Sequence, residues 1–163
     1  MTFVSFLVPV KLVWKVGLPF KEFFIWGDDL EYSLRLARVT RIYQVGKSKV
    51  THMKSGDASL NIAHERDNDK IWQYRLAYRN RLFIIHKYDG VISTQTARFI
   101  FRSFRDIFLS IRSGTSVLMK CKTILYGAFS GIVFSAKMAK KDGSIIPAEI
   151  VAGAKERERQ NVA

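Results

Sequence analysis

Cysteine is all but missing from this chain. Cys121 is the single one in 163 residues, so no internal disulfide can form and the composition suits a reducing cytoplasm. As an isolated thiol it reads as a small apolar core residue. A secretory signal is not evident: Met1 to Val10 is apolar but lacks a basic start and a small-residue cleavage pattern. The uncharged stretch Ile124 to Ala136 falls short of the roughly 20 apolar residues that a membrane span requires, which leaves it to lie in an interface or to pack on the preceding helix. The chain also has no glycine-rich phosphate loop, zinc-ligand set, RNA-recognition aromatic motif, helix-turn-helix or internal repeat.

Acidic residues are scarce and unevenly spread. Lys and Arg number 27 against 14 Asp and Glu, a formal net charge of +13. Between Arg98 and Lys141 nine basic residues face one acid, Asp106, so this segment alone carries +8. Phe99, Ile100, Phe104, Ile107, Phe108 and Ile111 fall at helical spacing among Arg98, Arg102, Arg105 and Arg112. A basic amphipathic helix of this kind suits an anionic membrane surface, where each basic side chain contributes about 1 kcal/mol. Nucleic acid is the disfavoured alternative: the charge footprint fits it, but the apolar face fits lipid or a partner helix better. With 48% apolar and 13% aromatic residues, general disorder is excluded and a real core is affordable at this length.

The most informative stretch is Phe23-Phe24-Ile25-Trp26-Gly27-Asp28-Asp29-Leu30-Glu31-Tyr32. An aromatic run, read as a strand, passes through Gly27 into three carboxylates, and a helical stripe of Leu30, Leu34 and Ala37 follows. Carboxylates on the first turn of a helix are favoured by its dipole, and beside a cleft an ionised one can act as a general base. The plainer alternative is helix capping.

Together with Gly17-Leu18-Pro19, Arg35, Tyr43 through Ser48, Val50-Thr51-His52 and Tyr78-Arg79-Asn80, this stretch resembles the family 2 glycosyltransferases. The branch it is most similar to is the bacterial rhamnosyl- and galactofuranosyltransferase-like enzymes, over roughly residues 3 to 90. The resemblance implies an inverting, metal-dependent transfer of a sugar from a nucleotide-sugar donor to a glycan or lipid-linked acceptor, in cell-surface polysaccharide synthesis. Asp29 would be the catalytic base, Asp28 and Glu31 would orient the acceptor or tune the base, and Trp26 would contact the acceptor. His52 would help hold a divalent metal, Mn²⁺ or Mg²⁺. Arg79 and Asn80 would reach the diphosphate, since a planar guanidinium matches phosphate oxygens. A single displacement needs no covalent nucleophile, so the absence of a Ser-His or Cys-His pair excludes nothing.

The expected fold is α/β: the carboxy-terminal half of a GT-A-type, Rossmann-like domain over residues 1–90, a basic helical extension over 91–141 and a polar tail over 142–163. The segments Phe3 to Val10, Phe23 to Trp26 and the run ending at His52 are predicted strands, Lys11 to Val16 and Ile71 to Tyr88 helices, and 54–70 a lid-like loop. The family's nucleotide-binding half, with its Asp-x-Asp, is expected ahead of this region. Only 22 residues precede Phe23, and Asp67-Asn68-Asp69 reads as a loop or helix cap. The chain is therefore expected to be inactive alone and to work at the cytoplasmic face of the membrane. A non-catalytic membrane- or nucleic-acid-binding module is the competing function, and homo-oligomerisation is left open.

Overall fold

The computed structural model describes residues 5–51 and 61–142. Five helices make up its regular structure: α1 (Val10–Val16), α2 (Asp28–Ala37), α3 (Asn68–Tyr88), α4 (Thr94–Ser113) and α5 (Val117–Asp142). Short 3-10 turns at Lys21–Phe23 and Ile62–His64 lie in the connections. No strand occurs among the described residues.

This overturns the α/β, Rossmann-like expectation. Phe6–Pro9 and Val50–Thr51 pair with nothing in a ladder, and Phe3, Val4 and His52 lie outside the described residues. The aromatic run Phe23–Trp26 is not extended either: Phe24 and Trp26 have φ of 62° and 60°, a left-handed geometry foreign to strands. Its carbonyls are also taken. The Asn80 amide nitrogen lies 3.1, 3.0 and 2.8 Å from the oxygens of Phe23, Ile25 and Trp26. A single apolar run coiled onto a helix therefore replaces a sheet.

That helix is α3, the axis of the molecule. Its start is set by Asp67, whose carboxylate accepts from Asp69 N–H at 3.0 Å, an N-cap that accounts for the Asp67-Asn68-Asp69 motif. Further along, Leu82, Phe83, Ile84 and Ile85 are consecutively buried. A helix apolar all round must be covered on every side, and here α5, α4 and the Phe20–Leu34 segment cover it. Phe23, Phe83, Ile84, Phe134 and Met138 form one core cluster, and Ile62, Ile71, Tyr74 and Ile124 a second. Residues on either side of position 90 share both cores, so the basic extension packs onto the acid-bearing part.

Helix α5 buries Lys120, Ile124, Gly127, Gly131, Phe134 and Met138, alternating four and three residues apart in the rhythm of a helix–helix seam. It packs chiefly on α3, not on α4 before it. Gly127 and Gly131 set how closely. A methyl group added at Gly127 would lie 2.8 Å from Tyr78 Cβ and 2.9 Å from the Arg75 carbonyl; at Gly131 it would lie 3.0 Å from Leu82 Cβ.

Helix α4 has three faces. Phe99, Ser103, Asp106 and Ser110 are buried, and the two serine hydroxyls donate to the carbonyls of Phe99 and Asp106 one turn earlier, at 2.9 and 2.7 Å. These back-bonds satisfy polar groups on a buried stripe. Phe101, Phe104, Phe108 and Ile111 lie on the opposite side, 57–72% exposed. Arg98, Arg102 and Arg105 run between the two faces, also exposed. The helix turns its small polar side inward and its aromatic side out.

Candidate functional site

Helix α2 begins at the strained turn. Gly27 holds its N-cap position with φ 92° and offers no side chain for capping. Asp28, Asp29 and Glu31 therefore sit within the first turn instead of at the cap, in the positive end of the helix field. The Asp29 carboxylate accepts from the adjacent Leu30 N–H at 2.7 Å and lines a cleft of about 540 Å³.

The cleft lies between α2, α3 and α4. From the α2 side come Trp26, Asp29 and Leu30; from α3 Tyr74, Tyr78, Arg81, Ile84 and Ile85; from α4 Arg98, Phe99, Arg102, Arg105 and Asp106. Trp26 packs edge-to-face on Tyr74, ring centroids 5.2 Å apart, which fixes one aromatic wall. Tyr78 donates to Asp106 Oδ2 at 2.8 Å, and Arg105 Nη2 meets Asp106 Oδ1 at 2.9 Å. Burial, then the Asp106 hydrogen bond, pushes the Tyr78 phenol far above its ordinary range. Burial and Glu65 push Tyr74 up to about 12. Both phenols are thus neutral donors near neutral pH.

The residues singled out in the sequence separate into distinct places. Trp26 and Asp29 meet in the cleft, with Asp28 half-buried next to them and not on its wall. Glu31 is 0% exposed and turned inward, its carboxylate 2.8 Å from Arg35 Nη2, 3.0 Å from Lys87 Nζ and 3.0 Å from Tyr88 Oη. Two cations and a phenol leave it no free face for an acceptor. Arg79 and Asn80 also serve the framework: Arg79 Nη2 donates to the Glu22 carbonyl at 2.6 Å and Nε to Asn80 Oδ1 at 2.9 Å. The guanidinium lies 4.5 Å over the Phe134 ring. Neither residue lines the cleft.

His52 lies outside the described residues. Among the described residues no group of three or more His, Cys, Asp or Glu could hold a metal ion. Glu31 is tied to Arg35 and Lys87, which leaves Asp28 and Asp29 as an adjacent pair only. The described residues do not by themselves fit the expected Mn²⁺ or Mg²⁺.

The cations that do face the cleft are Arg81, Arg98, Arg102 and Arg105. Three of them share the i, i+4, i+7 positions of one helix face. That spacing is readable in the sequence once the arginines are separated from the aromatic stripe. Their meeting with Asp29, some 70 positions earlier, depends on α4 folding back along α3.

Comparison with models of known protein families, with curated proteins and with solved structures finds no match.

Proposed function

We propose that the chain carries the acceptor side of an inverting glycosyltransferase, with Asp29 as the general base. The observation that carries this reading is Asp29's position: on the first turn of α2, one carboxylate oxygen accepting from Leu30 N–H, in a cleft walled by Trp26 and Tyr74. Aromatic walls with a few convergent polar groups are the usual make-up of a small-molecule site, and flat rings suit the apolar faces of a sugar. A sugar hydroxyl is a poor nucleophile. As it attacks the donor's anomeric carbon, its proton passes to the Asp29 carboxylate, and the bond to the nucleotide diphosphate breaks. Such base catalysis contributes about 10²–10⁴-fold. The divalent ion that the resemblance calls for finds no ligand set among the described residues, and no step here is routed through it.

The site would work at an anionic membrane surface. Support comes from the outward aromatic face of α4 and from Leu118, Leu125, Phe129 and Ile132 of α5, all exposed, beside a segment with a net charge of +8. Within α5 the stretch Val117–Lys140 contains an 18-residue segment of mean hydropathy 1.4 and is long and apolar enough to cross a membrane by length and composition. Its seam on α3 favours an interfacial position over a span.

Two measurements test this. In membranes from cells expressing the protein, sugar transfer from nucleotide-sugars to lipid-linked acceptor should fall about 10²-fold or more in Asp29→Asn. Undiminished transfer by that variant, in membranes where the wild-type protein supports transfer, would sink the assignment. The purified chain should sediment with anionic vesicles in the presence of duplex DNA. Preference for the duplex would overturn the membrane placement.

A further inference from the structure

We propose that Arg81, Arg98 and Arg102 seat the phosphodiester heads of anionic bilayer phospholipids, and so dock the chain on a membrane one way round. This rests on the membrane placement above, not on the transfer chemistry.

The first reason is which cations are unengaged. Asp106 holds Arg105 and Tyr78, whereas Arg81, Arg98 and Arg102 have no ion-pair or hydrogen-bond partner among the described residues. All three are exposed and line one cleft. Arg98 and Arg102 stand one turn apart, where like charges repel, and a bound anion relieves them. A planar guanidinium fork matches the two free oxygens of a phosphodiester.

The second reason is where those cations stand. Around α4 the arginines lie between the buried stripe of Phe99, Ser103, Asp106 and Ser110 and the outward stripe of Phe101, Phe104 and Phe108. The other flank, with Ile100 and Ile107, carries no charge. An amphipathic helix sinks its apolar face about 5–10 Å into the boundary between headgroups and chains. With the three outward phenylalanines at that depth, Arg98 and Arg102 come level with the lipid phosphates, on one side of the helix alone. Arg81, reaching the same cleft from α3, adds a third fork to that side. Leu30 and Ile84 also line the cleft; a dissolved phosphate has no use for such apolar surface, whereas the chains of a lipid cover it.

The test is the affinity of the purified full chain for phosphatidylglycerol vesicles, read by sedimentation. The variant Arg81→Lys/Arg98→Lys/Arg102→Lys keeps the net charge but loses the forks. Its affinity should fall about tenfold or more, the equivalent of one charged hydrogen bond. All three side chains are exposed, and an unchanged circular dichroism spectrum checks the fold. Arg112→Lys, on the same helix outside the cleft, should bind as wild type. Glycerophosphoglycerol, the same head without chains, should bind far more weakly in calorimetry. A triple variant that binds as wild type, or a loss in Arg112→Lys as large as in the triple variant, overturns the seat. The membrane placement then stands, because charge alone accounts for docking. Equal affinity for glycerophosphoglycerol also overturns the seat and assigns the arginines to dissolved phosphates. Failure of the wild-type protein to bind the vesicles removes the seat and the placement together.

Discussion

Asn80 does more for the candidate site than its place in the sequence suggests. Its amide nitrogen serves three carbonyls of the Phe23–Trp26 turn, its oxygen accepts from Arg79, and it is fully buried. Two residues of that turn, Phe24 and Trp26, hold positive φ without being glycine, a conformation that persists only when its surroundings over-determine it. Asn80 is a large part of those surroundings. Replacing it with Ala takes this donor from the part-buried Ile25 and Trp26 carbonyls, while Phe23 keeps the Ile25 N–H, at about 1–3 kcal/mol for each group left unsatisfied. Asn80→Asp is worse, since a carboxylate donates nothing and faces three carbonyl oxygens. Urea denaturation should rank the stabilities wild type, Asn80→Ala, Asn80→Asp. An Asp variant as stable as wild type would show that the turn holds itself. The buried Glu31 is of the same kind: a residue whose family role is catalytic in expectation and whose contacts here are Arg35, Lys87 and Tyr88.

At the scale of elements, helix existence was legible and helix contact was not. The ranges Lys11 to Val16 and Ile71 to Tyr88 correspond to α1 and most of α3, because apolar periodicity and an Asp cap act locally. That α5 would lie along α3 turns on two glycines that look unremarkable in sequence. Gly usually weakens a helix, so Ala should add about 1 kcal/mol of propensity. At Gly127 the sign reverses, because the new methyl would lie 2.9 Å from the backbone carbonyl of Arg75. Overpacking at such a contact costs about 1–3 kcal/mol. Gly127→Ala should therefore lower the thermal midpoint and Gly127→Leu lower it further, as read by circular dichroism. A rise on Gly127→Ala would mean that the two helices are not in contact at this point.

For the whole molecule, pH reports on the packing of α3 against α5. His86 Nδ1 lies 3.2 Å from Ser135 Oγ, and burial lowers its pKa from the ordinary 6.5. The unfolded chain therefore binds this proton more readily than the folded one. Stability should be flat above the ordinary histidine value and decline as pH falls through it toward the lowered folded value. Denaturation midpoints at pH 7.5 and about 5.5 should differ in wild type, and His86→Gln should reduce the difference. Glu65 acts in the same direction at lower pH: the Asp67 backbone hydrogen bond holds its carboxyl below the ordinary value, so its contribution is lost only as that lower range is crossed. A wild-type midpoint that does not change between the two pH values would place His86 in solvent.

The sequence by itself determined the helix over Ile71 to Tyr88, the helical character of the basic segment after it, the concentration of positive charge after Arg98 and the carboxylates of the Asp28–Glu31 turn. All of these follow from local periodicity, capping and composition. It did not determine whether Phe23–Trp26 would be a strand, because an apolar run of four extends only where neighbouring strands complete its hydrogen bonds. Here the amide of Asn80, more than fifty positions away, takes those carbonyls instead. Nor did it determine which acid faces solvent and which arginines face the acid. Asp29 and Glu31 stand two positions apart on one helix, and only the approach of α3 turns Glu31 onto Lys87 while Asp29 lines the cleft that Arg98 and Arg102 also line. Side-chain chemistry is local, but burial belongs to the packed whole.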